Sequence, residues 1–212
     1  MSVAWAVALA AAAPAWAGVR LDFDVTFRGA KQPAQAHYVA MYRLADGEHR
    51  LEVWRDSDVR LKRHTDAGIE TVVTKPAGDA EWAMVVLDLK RRIRTDVGRT
   101  NLMRIGHFTD WLALSRLLAR PVGAYELTAI GHGAPRIETP GPCRWYRLAQ
   151  GSRASRICWS EAQQLPFVIT DDKVVVQWRV TAFDSRPLPP GTFAIDDRGF
   201  VRNDANRDIL AD

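Results

Sequence analysis

The chain has 212 residues, of which 47% are hydrophobic, and its 29 lysines and arginines exceed the 25 aspartates and glutamates to give a formal net charge of +4. This length suits one domain with a sizeable core and would crowd two. The basic residues are interleaved with acidic ones, which indicates a solvated surface of mixed charge and argues against nucleic acid as a partner.

The N-terminal segment 1–17 is apolar and carries no charged side chain. It ends in Ala15-Trp16-Ala17, a pattern typical of the cleavage site of a secretory signal peptide. The apolar run is too short to remain as a membrane anchor. We therefore expect a signal peptide over 1–17 that is cleaved near Ala17, a single mature domain over 18–212 and a periplasmic location. A buried N-terminal helix is the alternative.

Hydrophobic residues alternate with polar ones along much of the first half of the chain. From Leu21 to Phe27 every second residue is apolar, which predicts a half-buried strand. Short polar turns separate the segments that follow, and such turns favour antiparallel neighbours. The further strands predicted in this half are His37–Leu44, Arg50–Arg55, Val59–His64, Ile69–Thr74 and Trp82–Arg94.

One segment in the middle of the chain has the spacing of a helix. Apolar residues recur with helical periodicity from Phe108 to Ala119, Thr109 is placed to cap the start, and Pro121 ends the pattern. We expect an amphipathic helix here. Strands are predicted again afterwards, at Tyr125–Ile130, Arg144–Leu148, Arg156–Ser160, Pro166–Thr170 and Val174–Phe183, followed by a short segment at Phe193–Ile195.

The two cysteines lie on either side of a predicted hairpin. Cys143 precedes one aromatic-rich strand and Cys158 lies in the next, with a polar turn between them. Opposed positions in a hairpin meet the Cα separation that a disulfide needs. We expect the bridge Cys143–Cys158, which suits an oxidising compartment. A redox or metal role is the alternative, although the spacing is not Cys-x-x-Cys.

The central stretch "DAGIETVVTKPAGDAEWAMVVLDLKRRIRTDV" has a turn at Asp66-Ala67-Gly68 and a strand ending at Leu87-Asp88-Leu89, and the closing strands are "CRWYRL", "ICWS", "QQLPFVI" and "VVVQWRVTAF". These stretches resemble the LolA/LolB/RseB/LppX-like superfamily of bacterial envelope proteins. The resemblance implies a mainly β (α+β) fold. In this fold an open, strongly curved antiparallel sheet, or half-barrel, carries a lid helix, and its concave apolar face accepts a lipid or an acyl chain.

Large apolar side chains are the candidate lining of such a cavity. The chain has eight tryptophans, and six of them lie outside the segment 1–17. Rigid aromatic rings suit an apolar binding pocket, but a sheet of this size also needs bulky residues to fill its core. The candidate cavity and lid residues are Trp54, Trp82, Trp111, Leu114, Leu118 and Trp178.

The densest group of basic residues lies at the end of the strand predicted over Trp82–Arg94. Arg91, Arg92 and Arg94 are candidates for contact with anionic lipid head groups or a membrane surface, and we expect such a membrane contact to be transient. The alternative is an exposed strand face, or a sheet edge protected by charge.

The sequence carries no recognisable catalytic motif, phosphate loop or metal motif, so we predict no catalytic residue, cofactor or metal. His64 and Asp66 are spaced to form a pair on one face of a strand. Asp204, Asn206 and Asp208 resemble the start of a calcium loop, but Ile209 occupies the position that needs glycine.

These observations favour a periplasmic carrier that holds a lipid or other hydrophobic ligand. The alternatives are an envelope sensor or scaffold that binds a protein partner without cargo and, third, a hydrolase.

Overall fold

A computed structural model describes residues 20–30, 35–56, 59–75, 82–98, 101 and 110–204. The predicted signal peptide and most of the calcium-like motif lie outside these residues. The described part contains two short helices, α1 (Phe23–Arg28) and α2 (Trp111–Arg116). It also contains strands β1 (Gln35–Leu44), β2 (Gly47–Asp56), β3 (Arg60–Thr65), β4 (Ile69–Thr74), β5 (Ala83–Asp88), β6 (Ile93–Gly98), β7 (Glu126–Ala129), β8 (Arg144–Gln150), β9 (Arg153–Ser160), β10 (Leu165–Asp171), β11 (Val176–Asp184) and β12 (Val201–Asp204).

All twelve described strands form one open sheet in the order β12-β6-β5-β4-β3-β2-β1-β11-β10-β9-β8-β7. Every pairing is antiparallel except that of β12 with β6, which is parallel. Strand β1 is central and joins the meander β1–β6 to the meander β7–β11. The predicted mainly β fold, an open sheet with a helix upon it, is confirmed. No helix among the described residues has the length and apolar character needed to span a bilayer.

The predicted first strand, Leu21 to Phe27, is wrong, because this segment forms helix α1. The carboxylate of Asp22 caps the helix and accepts a hydrogen bond from the backbone N–H of Val25 at 2.9 Å. In a helix Phe23 and Phe27 lie on one face, and both are buried, whereas Val25 is 76% exposed. Phenylalanines four residues apart fit both periodicities, and the packing of α1 on the sheet decides for the helix.

The long strand predicted over Trp82–Arg94 is also wrong, because the segment forms two strands joined by a tight turn. The Asp88 carboxylate accepts hydrogen bonds from the backbone N–H groups of Lys90 and Arg91 at 3.1 and 2.9 Å. Arg92 has a left-handed backbone with φ 55°. The turn reverses the chain so that β6 pairs antiparallel with β5.

The predicted helix is present but shorter than expected. Helix α2 starts at Trp111 with Asp110 as its N-cap and ends at Arg116; its C-cap, Leu117, has a left-handed backbone with φ 58°. The candidate cap Thr109 lies outside the described residues.

The helices cover one face of the sheet, which we call the helical face; the opposite face is the outer face. Around α2 the core contains Val53, Leu61 and Trp178, and around α1 it contains Ile157 and Trp159. Because the partly buried Ile169 packs against both groups, the core is continuous along the helical face.

The predicted disulfide is confirmed. Cys143, immediately before β8, is bonded to Cys158 in β9, and their Cα atoms are 5.4 Å apart. On the outer face beside the bridge, Trp145 and Val168 pack with Cys158. The bridge therefore fastens the β8–β9 hairpin, as expected from the sequence.

After β11 the chain crosses the outer face to reach the far edge of the sheet. The backbone N–H of Leu188 donates to Gln35 Oε1 at 2.7 Å, and the Arg60 guanidinium lies 4.6 Å from the ring centre of Phe193. Gln35 and Arg60 alternate with core-facing residues, so their side chains are on the outer face. We call residues 185–200 the strap. Residues Phe193–Ile195 lie within it and form no strand, and the strap leads into β12, which the sequence pattern did not predict.

Candidate functional site

Helix α2 is attached to the core through its apolar residues. Trp111 and Leu114 are buried, and the Trp111 ring packs edge to face on Trp82 with the ring centres 5.9 Å apart. The Asp110 carboxylate accepts a hydrogen bond from the Leu112 backbone N–H at 2.9 Å. The sheet and the cap thus fix both the position and the start of this short helix.

Two arginines of the sheet bind the last carbonyl groups of α2. Arg55 is fully buried and donates to the carbonyl oxygens of Ser115 at 3.5 Å and Gln163 at 2.9 Å. Arg63 donates to the carbonyl oxygen of Leu114. The last carbonyl groups of a helix receive no hydrogen bond from an N–H group within the helix, and positive charge near them is favourable. Arg55 and Arg63 therefore fasten α2 to β2 and β3.

Another arginine, buried like Arg55, joins the two helices. Arg116 donates to the carbonyl oxygens of Phe27 and Ala30, each at 2.7 Å, and to Gln164 Oε1 at 3.0 Å. The Gln164 side chain in turn donates to the carbonyl of Glu161 at 2.8 Å. Helices α1 and α2 and the turn before β10 are thus connected through one guanidinium group.

A groove runs beside α2 and is the candidate binding site. Its volume is about 510 Å³, and most of the groups that line it are apolar, with charged side chains at three positions. Val122 is 88% exposed and marks its mouth. The lining residues are Arg63, Asp110, Ala113, Leu114, Leu117, Ala119, Arg120 and Val122.

The charges around the groove are arranged in a short chain. Arg28 lies 2.5 Å from the Asp110 carboxylate and 3.4 Å from that of Asp24. Arg120 lies 3.2 Å from Asp24. Together with Arg63, three arginines face two aspartates, so this group of five carries one positive charge in excess.

The neighbourhood of Arg63 also holds a buried tyrosine. Burial raises the pKa of Tyr38, and the positive charges of Arg55 and Arg63 oppose that rise. Burial lowers the pKa of Arg63, and Tyr38 opposes this change. Within the described part of the chain the Tyr38 hydroxyl has no hydrogen-bond partner. The helical face near Arg63 is therefore electropositive.

The predicted cavity residues are distributed over three places. Trp82, Trp111, Leu114 and Trp178 are brought together in the core around α2, and Leu118 lies in the core around α1. Trp54 lies on the outer face, where its ring stacks on His37 at 5.1 Å and approaches Lys62 at 5.8 Å. Of the six, Leu114 lines the described groove.

Of the predicted head-group residues, Arg91 and Arg92 lie in the β5–β6 turn and Arg94 lies in β6; Arg92 and Arg94 hold the strap. Arg92 donates to the carbonyls of Arg198 at 2.6 Å and Gly199 at 3.3 Å. The carboxylates of Asp96 and Asp197 bind Arg94 and raise its pKa. Arg91 is largely exposed, and its guanidinium lies 3.8 Å from Asp88. A role in contact with lipid head groups stays a prediction for all three arginines.

The side chains of His64 and Asp66, predicted as a candidate pair, have different partners in the structure. His64 Nδ1 is 4.0 Å from Glu70, while the Asp66 carboxylate accepts from the Arg50 backbone N–H at 2.9 Å and lies 3.6 Å from His49. Among the described residues, no group of three or more histidine, cysteine, aspartate or glutamate side chains is placed to hold a metal ion.

The buried arginines are functional candidates that sequence reasoning missed. Val53 and Arg55 lie two residues apart in β2, and Leu61 and Arg63 do so in β3, so both arginines occupy positions that face the core. The sequence did contain a signal for them, because each of two adjacent predicted strands has an arginine at a position that faces the core.

A comparison with protein-family models finds no match for this chain, and a comparison with curated proteins finds none either.

Proposed function

We propose that the protein binds a lipid or other hydrophobic ligand in the groove beside α2 and serves as a periplasmic binding or carrier protein. The observation that supports this most is the groove itself, about 510 Å³ in volume and lined mainly by apolar side chains. Sites for small molecules are concave, mostly apolar and of comparable volume.

The position of the ligand follows from how the core is filled. Trp82, Trp111 and Trp178 occupy the space between α2 and the sheet. A ligand that enters with α2 in place therefore lies along the side of the helix that bears Ala113 and Leu117. Deeper entry requires α2 to leave the sheet, which breaks the hydrogen bonds that Arg55 and Arg63 donate to it.

The compartment and the family are part of the same proposal. The disulfide is compatible with an oxidising, secreted compartment, which agrees with the signal peptide predicted over 1–17. The open sheet with helices on one face agrees with the proposed relationship to the LolA/LolB/RseB/LppX-like superfamily.

Filling the groove tests the proposal directly. Ala113 lines the groove, so Ala113→Trp places a bulky ring in the space proposed for the ligand. We expect the affinity for a fluorescent monoacylglycerol, measured by fluorescence titration, to fall at least tenfold. Ala182→Trp is the matched control, because Ala182 is exposed and pairs with Val39 in the register that faces away from the core.

Circular dichroism should give the same spectrum for both variants and the wild-type protein. Absence of saturable binding to the wild-type protein, or equal affinities of the wild type and Ala113→Trp, would contradict the proposal.

A further inference from the structure

We infer that the ligand of this groove is an anionic amphiphile, with a carboxylate or phosphate head group that binds Arg63 and Arg120. The inference rests on the proposed function and adds the chemical class of the ligand. Its basis is the juxtaposition of two guanidinium groups with an apolar lining in one groove.

The apolar part of the groove specifies the tail of the ligand. Ala113, Leu114, Leu117 and Ala119 lie along α2 and the segment after it. Burial of an acyl chain against these side chains is favourable in proportion to the area removed from water. This contribution does not depend on the charge of the head group.

The two arginines specify the head group. Guanidinium groups present several N–H donors in a plane, a geometry that matches the paired oxygens of carboxylate and phosphate. Arg63 is partly buried, lines the groove and donates to the Leu114 carbonyl, and burial lowers its pKa. An anion bound there interacts more strongly than it would in water, because the surroundings screen the charge less.

The nearby acids do not cancel this preference. Asp110 lies against Arg28, and Asp24 lies against both Arg28 and Arg120, so these two arginines offset the two carboxylates and Arg63 supplies the excess charge. One positive charge remains in excess among the five groups. A cationic head group would meet this net positive charge.

A set of ligands with one tail and different head groups tests the inference. Binding of hexadecanoate, hexadecyl phosphate and methyl hexadecanoate to the full chain is measured by competition against the fluorescent monoacylglycerol. We expect both anionic ligands to bind at least tenfold more tightly than the methyl ester. Inorganic phosphate, which lacks the tail, should not compete at millimolar concentration.

Three variants locate the preference. In Arg120→Gln the ratio of anion to ester affinity should fall several-fold, and in Arg63→Gln with Arg120→Gln it should approach one. Arg120→Gln is informative alone because Arg120 is more than half exposed and its loss should not disturb the core. Arg198→Gln is the control, since Arg198 is 90% exposed and belongs to the strap on the outer face.

The outcomes separate the two proposals. Equal affinities for hexadecanoate and its methyl ester would overturn the inference and leave the proposed function standing. Failure of every ligand to bind would instead overturn the proposed function. Competition by inorganic phosphate alone would also overturn the inference, because it would show an anion site that needs no acyl tail.

Discussion

Replacement of Arg116 by methionine is the strongest test of how the helices are fixed to the sheet. The guanidinium donates to the carbonyls of Phe27 and Ala30 and to the side chain of Gln164. Arg116 is 3% exposed, so water does not readily replace these donors. Methionine preserves much of the side-chain length and removes all three hydrogen bonds.

The expected loss of stability follows from the groups left behind. A buried acceptor that loses its donor costs about 1–3 kcal/mol, and two buried acceptors and one partly buried acceptor, the Ala30 carbonyl, are affected. Removal of a buried charge relieves its own desolvation and offsets part of this cost. We therefore expect the free energy of unfolding of Arg116→Met to fall by about 3–5 kcal/mol.

Urea unfolding followed by tryptophan fluorescence measures this change. The matched control is Arg186→Met, because Arg186 is 86% exposed and its contacts are with the neighbouring Asp184. The control should shift the urea midpoint only slightly, because an exposed ion pair contributes little to stability. A loss below about 1 kcal/mol for Arg116→Met would refute the argument that this side chain links α1 and α2 to the sheet, because it is less than the cost of one orphaned acceptor.

Alternating hydrophobicity was sufficient to predict most of the sheet. Strands such as β1 and β2 have one face on the core and one turned away from it, so the alternation records their burial directly. Tight turns then make neighbours in sequence neighbours in space, which gives the two meanders. The Cys143–Cys158 bridge was predictable for the same reason, because a hairpin brings its strands together without information from elsewhere in the chain.

Local pattern failed where distant contacts decide the structure. Helix α1 has too few residues to be stable alone, and its identity depends on the packing of Phe23 and Phe27 against Tyr146 and Trp159. Strand β12 has four exposed residues and therefore no alternation in burial. It pairs with β6 after the strap has crossed the sheet, and no short-range feature of the sequence specifies that path.

The candidate site was predictable only in part. The sequence placed an amphipathic helix over the sheet, and Trp111 and Leu114 do contact its core. Whether a large side chain fills the core or lines a groove depends on the separation of α2 from the sheet, which periodicity does not determine. Arg55 and Arg63 were accessible to reasoning, since charged residues at buried positions indicate a built polar contact.

Three further predictions address the bridge, the first helix and the strap. Denatured protein kept without reductant should have no thiol that reacts with an alkylating reagent, and replacing both Cys143 and Cys158 by serine should cost about 2–4 kcal/mol; two reactive thiols would show that the bridge is absent. Phe27→Ala should cost about 3–5 kcal/mol while Val25→Ala changes stability by less than about 0.5 kcal/mol, because Phe27 is buried and Val25 is exposed in the helix. Comparable losses at the two positions would instead indicate the strand. At the start of the strap, the Arg186 guanidinium lowers the pKa of the neighbouring Asp184 carboxyl to about 2, from an ordinary value of 3.8. Since the folded-state pKa is the lower one, the ion pair stabilises the protein above about pH 3.8 and loses this effect as the pH falls toward 2. An NMR titration of the carboxyl carbon measures the pKa directly. In Arg186→Gln the pKa of Asp184 should move toward 3.8, and an unchanged pKa in that variant would show that Arg186 is not the cause.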